Sequence, residues 1–122
     1  MARQHGMTEL ETTGALFDDV DQKQLLRTTL FLYMVGNTDA SISGLHNIVL
    51  LRDTTNVSIL PVAYDWDFSG IVNTRYATPD PRVGVRRVTD RVHRGPCKPV
   101  AEWKPIFQEF QARRAAMDSV YD

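Results

Sequence analysis

Cysteine is almost missing from this chain. Cys97 stands alone, so an intrachain disulfide cannot form and a zinc site built on several thiolates is excluded. That usage fits a reducing, cytoplasmic setting, with Cys97 read as a structural thiol. Long apolar runs are absent too: none approaches the roughly 20 residues that span a bilayer, and Met1-Ala2-Arg3-Gln4-His5 has no signal-peptide core. No membrane or secretory role is expected. Lysine is scarce, at Lys23, Lys98 and Lys104, and the formal net charge is only -1, so nothing pulls the chain toward nucleic acid or an anionic surface. With 122 residues and 43% hydrophobic content, one modest core can be buried, too little for a two-lobed nucleotide enzyme. There is no internal repeat and no low-complexity tract.

What is present divides into five stretches. Residues 1–13 are polar and aperiodic, and 1–18 read as a disordered or linker tail ahead of a single domain over 19–122. From Asp19 or Asp21, the positions Val20, Leu25, Leu26, Leu30, Phe31, Tyr33 and Met34 recur at helical spacing, and Gly36 supplies a stop; the expectation is a helix over about residues 20–35. Its last two turns are apolar on nearly every side, which calls for packing within a larger set of elements. Asn37 to Leu45 has loop chemistry. Asn47 to Arg52 and Val57 to Tyr64 form strand-like runs joined by Asp53-Thr54-Thr55-Asn56, a hairpin whose second strand, carrying Pro61, is an edge or is bulged. Residues 70–99 hold four of the six prolines and six arginines without periodicity, a long connection of the kind used for function or docking. Helical spacing returns over Glu102 to Val120. The fold class is therefore α+β: helix, catalytic-type loop, β-hairpin, long irregular loop, C-terminal helix.

Polar groups cluster at the edges of the apolar runs. Asn37 and Asp39 follow the first helix, His46 and Asn47 open the first strand, and Asp65 and Asp67 flank Trp66 at the end of the second. A helix exit and one hairpin bring these together. A hard divalent cation takes carboxylate and carboxamide oxygens, a role suited to Asp65 and Asn47. Phosphoryl transfer needs metal-held phosphates and a carboxylate that accepts the proton of the attacking hydroxyl, a role suited to Asp39. Taken singly, each has an ordinary reading: an Asx turn at Asp39, a hairpin cap at Asn47, solvated strand-end charges at Asp65 and Asp67. His46 and His93 read as ordinary polar side chains. Arg82, Arg86, Arg87, Arg91 and Arg94 read as a solvated basic face, or as a groove for an acidic or phosphorylated substrate.

Gly36-Asn37-Thr38-Asp39-Ala40, then His46-Asn47, an aliphatic strand and Pro61-Val62-Ala63-Tyr64-Asp65 resemble the catalytic segment of HipA-type and related atypical kinases, where a Gly-Asn-x-Asp-x-His-x-x-Asn loop precedes a strand pair ending in Ala-Tyr-Asp. Trp66-Asp67-Phe68-Ser69-Gly70 is similar to the Trp-Asp-x-Asp segment of CotH-type spore-coat kinases. The resemblance covers about residues 20–70. It implies part of a protein-kinase-like large lobe, with Mg2+ and ATP as cofactors and a hydroxyl acceptor of unspecified kind. It implies Asp39 as proton acceptor, Asn37 and His46 on the nucleotide side, Asn47 and Asp65 as metal ligands, and Asp67 as a second-metal or supporting group. Asp39 and Asn47 are eight positions apart, against about five in the kinase loop, so Ser41 to Leu45 contains an insertion or Asn37 substitutes for Asn47. Family members also carry a nucleotide-covering lobe with a glycine-rich loop and a phosphate-binding lysine, so the chain is expected to be truncated relative to them and completed by that lobe, a partner subunit or a second copy.

Two other readings stay open. Asp65-Trp66-Asp67-Phe68-Ser69 resembles the Asp-x-Asp motif of haloacid-dehalogenase-like phosphatases, with Asp65 as nucleophile and Asp67 as acid/base, although that motif normally opens a doubly wound domain. The other is a non-catalytic interaction module derived from a kinase lobe.

Overall fold

Helix α1 spans Gln22–Val35 in the computed structural model, which describes residues 6–53, 55 and 58–120. Its start is fixed by the Asp21 carboxylate, which accepts from the Gln24 N–H at 2.8 Å and satisfies a donor that has no partner inside the helix. Its end is fixed by Gly36, left-handed at φ 69°, which lets the Asn37 N–H return to the Leu32 carbonyl at 2.8 Å. That is the Schellman pattern. The helix expected over about 20–35 is present.

The hairpin is present as well. Strand β2, Ile48–Asp53, pairs antiparallel with β3, Ile59–Ala63, with Leu50 opposite Pro61. Its turn lies partly outside the described residues, as does Val57. Pro61 does no harm to this ladder because its polar groups face away from β2: its carbonyl accepts from Gln24 Nε2 and Thr28 Oγ1 of α1, each at 3.3 Å. A residue whose carbonyl points outward would also point its N–H outward, so the donor that proline lacks is not missed. The Asp21 N–H reaches the Ile59 carbonyl two residues earlier at 2.8 Å. The start of α1 is thereby tied along the outer edge of β3.

The tail assigned to residues 1–18 needs correction. Met7–Leu10 forms strand β1, antiparallel to β2 with Leu10 opposite Leu50, and Phe17–Asp19 forms one 3-10 turn. Four residues carry too little alternation to announce a strand; the free edge of β2 creates it. Among the described residues the sheet order is β1-β2-β3, and an α+β architecture results. Ile48 and Leu50, on one face of β2, meet Val20, Leu25 and Ile42, and all five are 5% exposed or less. Ile42 belongs to the loop after α1, so the core itself anchors that loop.

Residues 70–99 fold back onto the end of α1. Gly70 N–H donates to the Gly36 carbonyl and Ile71 N–H to the Val35 carbonyl, both at 2.9 Å, while Arg91 Nε donates to the Met34 carbonyl at 2.9 Å. A cation on the last carbonyls of a helix also complements its dipole. The single C-terminal helix expected over 102–120 is two: α2, Val100–Ala112, and α3, Arg114–Asp118, parted at Arg113 with φ -100° and ψ 5°. Arg27 of α1 pairs with Glu109 of α2 at 2.9 Å. Between these helices runs an apolar groove of about 480 Å³, walled by Phe31, Met34, Ile71, Phe107, Phe110 and Met117. The last turns of α1 are therefore half open: Phe31, Tyr33 and Met34 keep 37–42% of their surface. Among the described residues no helix is long and apolar enough to cross a membrane.

Candidate functional site

The eight-position spacing between Asp39 and Asn47 resolves locally. Ser41 and His46 pair as an isolated antiparallel bridge, Ser41 N–H to the His46 carbonyl at 2.9 Å and His46 N–H to the Ser41 carbonyl at 3.1 Å. Residues 42–45 become a tight turn above it. Gly44 N–H donates to Ser41 Oγ at 3.0 Å, Leu45 takes φ 50°, and Ile42 drops into the core. With that turn set aside, Asn47 lies next to Asp39. Asn47 Nδ2 donates to the Asp39 carbonyl at 2.8 Å and to its Oδ2 at 3.1 Å. His46 Nε2 stands 3.0 Å from Asp39 Oδ1. Both oxygens of the half-buried carboxylate are thus held from one side, by a carboxamide and an exposed imidazole.

Asn37 ties this loop to the hairpin's open end. It is buried, its Oδ1 accepts from the Asp39 N–H at 2.9 Å, and its Nδ2 donates to the Asp65 carbonyl at 3.4 Å. Tyr64 N–H closes on the Asn47 carbonyl at 2.9 Å, so Asn47 and Asp65 flank the same mouth of the β2–β3 pair. Both are left-handed, at φ 54° and 60°, a conformation that Asn and Asp accept more readily than other non-glycine residues. Asp65 Oδ1 accepts from the Asp67 N–H at 3.3 Å.

Asp67 turns toward a different neighbour. Its carbonyl accepts from Thr74 Oγ1 at 2.9 Å, and the nearby Asp67 carboxylate, with smaller effects of desolvation and of Asp65, raises the exposed Tyr76 phenol above its usual 10.0, with Thr74 opposing. Ionising a phenol beside a carboxylate is unfavourable, so Asp67→Asn should bring the Tyr76 titration back down. Carbon NMR of the Tyr76 ring against pH checks this, and an unchanged midpoint would show that the two groups do not interact.

Asn37, Asp39, His46 and Asn47 are therefore one hydrogen-bonded unit, with Asp65 joined through its backbone and Asp67 reaching it through Asp65. Among the described residues no group of three or more His, Cys, Asp or Glu side chains is placed to hold a metal ion. The set expected here is smaller, two carboxylates and a carboxamide, which are oxygen donors of the type a hard cation takes. Asn47 turns its NH2 to Asp39, which leaves Oδ1 as the end that offers an oxygen.

Arg82, Arg86, Arg87, Arg91 and Arg94 are all exposed, as a solvated face requires, and several also bind acids or carbonyls of the chain. Arg82 chelates Asp80, at 2.6 Å for the shortest contact, and holds that carboxyl down to about 2; the pair's contribution is complete above the ordinary value of 3.8 and is lost as pH falls toward 2. Arg87 binds Asp90 through its backbone and side chain, lowering that acid as well. Arg94 Nη1 reaches the Thr38 carbonyl at 2.6 Å, one residue from Asp39. Neither that contact nor Tyr76 over Asp67 left a periodic or spacing signal in the sequence. A scan against protein-family models, a search of curated proteins and a search of solved structures each find no match to this chain.

Proposed function

We propose that the chain is a kinase-like phosphotransferase segment that moves a phosphoryl group from a magnesium nucleotide to a hydroxyl acceptor. One observation carries the reading: the Asp39 carboxylate is held by His46 and Asn47, and Asn37 links the same loop to Asp65. A base that accepts a proton from an attacking hydroxyl must be aimed and kept still, and two donors on Asp39 do that. The resembling kinase loop has its histidine two places after the Asp, where this chain has Ser41. His46 is Ser41's partner across the bridge, which brings an imidazole to the same neighbourhood by a different route. Asn47 Oδ1 and the Asp65 carboxylate are the oxygens that would hold a magnesium ion, with Asp67 in support. When bound, the ion supplies charge neutralisation for the phosphate oxygens.

The first test is thermal. Magnesium with ATP should raise the melting temperature of the parent, and Asp65→Asn should abolish that rise while melting alone within about 1 kcal/mol of the parent, as expected for an exposed polar exchange. Equal stabilisation of both proteins would remove Asp65 from the metal site. The hydrolase alternative draws less support, because its motif belongs to a doubly wound parallel sheet and the described strands are antiparallel. The interaction-module reading draws on the half-open groove between α1 and α2. It is the reading that stands if neither metal nor nucleotide stabilises the parent.

A further inference from the structure

Beside the Asp39 loop lies a cleft of about 240 Å³ that Asn37 borders but Asp39, Asn47, Asp65 and Asp67 do not line. Its floor is apolar, made by Leu32, Ile42 and Ile48, which border or belong to the core. Tyr33, Ser41, Ser43 and Arg94 also line the cleft. No acidic residue lines it. A guanidinium has five N–H donors in a planar fork, and among the described residues the Thr38 carbonyl is Arg94's hydrogen-bond acceptor. Asp80, the carboxylate that feels the charge of Arg94, is already chelated by Arg82. Arg94 thus keeps donors and a formal charge for something else.

We propose that this cleft binds a small monocarboxylate with an apolar body, its carboxylate on the Arg94 fork and its body over Leu32, Ile42 and Ile48. The charge decides the head group. One cation among neutral residues matches one negative charge, and the fork matches the two oxygens of a carboxylate; a phosphate would call for more cations than the lining holds. The volume decides the size: it falls below the roughly 300–1,000 Å³ of pockets for drug-sized molecules, so the body is a single ring or a short chain. The walls are built ahead of the ligand, since the Ser41–His46 bridge and the Gly14 N–H on the Ser43 carbonyl at 2.7 Å hold both sides in place.

The test uses benzoate and its neutral isostere benzamide, titrated into the whole chain and followed by amide proton–nitrogen correlation NMR. Benzoate should shift Thr38, Ser41, Ser43 and Arg94 saturably, and benzamide should bind at least about tenfold more weakly, as loss of a charge-assisted contact implies. Arg94→Gln should erase the difference between the two. Because Arg94 also holds Thr38, a second variant leaves that contact alone: Ser43→Glu places a like charge at an exposed position of the cleft lining and should weaken benzoate about tenfold, leaving benzamide unchanged. Equal binding of the two probes, shifts lying elsewhere, or benzoate binding unaltered in Ser43→Glu would overturn the proposal.

Discussion

Asp39→Asn is expected to lower magnesium- and ATP-dependent phosphoryl transfer by roughly 10²–10⁴-fold, the span a positioned general base contributes. The carboxylate is the one group of the site whose two oxygens are both held by neighbouring side chains, at 3.0 Å from His46 and 3.1 Å from Asn47. An Asn there keeps the shape and loses the proton acceptor. It also turns an NH2 toward one of two partners that already act as donors, so a small loss of stability, about 1 kcal/mol, should accompany the change. Consumption of ATP in the presence of magnesium measures it, with Glu102→Gln, in the first turn of α2, as the control that keeps parental activity. Parental turnover in Asp39→Asn would strip the residue of its role. A parent with no turnover and no nucleotide binding would leave the interaction module as the better account.

Gly70→Ala should damage the fold, because the atoms it meets belong to backbone. A Cβ at this position would lie 2.6 Å from the Val88 carbonyl oxygen and 3.0 Å from Thr89 Cα. Both are backbone atoms, which cannot rotate aside as a flexible side chain can. On the other face Gly70 N–H is bonded to the Gly36 carbonyl at 2.9 Å, and a Cβ on Gly36 would meet Gly70 Cα at 3.3 Å. Three backbone segments are stacked here: the end of α1, residues 69–71, and 88–89. Forcing in a methyl group should cost about 2–3 kcal/mol, or about 8–12 °C in melting temperature for a chain of this size. Gly84→Ala is the comparison. Gly84, unlike Gly70, is left-handed, at φ 80°, but a Cβ there meets nothing within 4 Å, so only the backbone cost of about 1 kcal/mol applies. If the two variants melt together, the stacking at Gly70 is not as tight as described. The same stack positions residues 65–69 beside Asn37, so Gly70→Ala should also weaken the magnesium response proposed for Asp65.

Some of this was legible along the chain. Asp21 and Gly36 announce the two ends of α1, and two β-branched and aliphatic runs announce the hairpin. Pro61 announces an edge. These are local rules, satisfied within a few residues of the signal. The candidate site was legible only as a set of residues. That Asn47 reaches Asp39 depends on the bridge between Ser41 and His46, and that turn holds because Ile42 is buried in a core that includes Ile48 and Leu50 of β2. A count of positions between Asp39 and Asn47 gives distance along the backbone and nothing about a turn that shortens it. β1 was missed for a related reason, since a four-residue strand is made by the edge it joins.

Composition and local chemistry by themselves determined an α+β domain, a helix ending at Gly36, a hairpin with Pro61 on its outer strand, and a collection of Asn, Asp and His at the mouths of those elements. Backbone propensity and end-capping act over one or two turns, and a single chain carries that information openly. The tertiary structure alone decided which of those polar groups touch, that Arg91 and Arg94 close on the carbonyls of Met34 and Thr38, and that Gly70 must be glycine. Those outcomes depend on which surfaces meet when the core is buried, a condition on distant residues that no local pattern encodes.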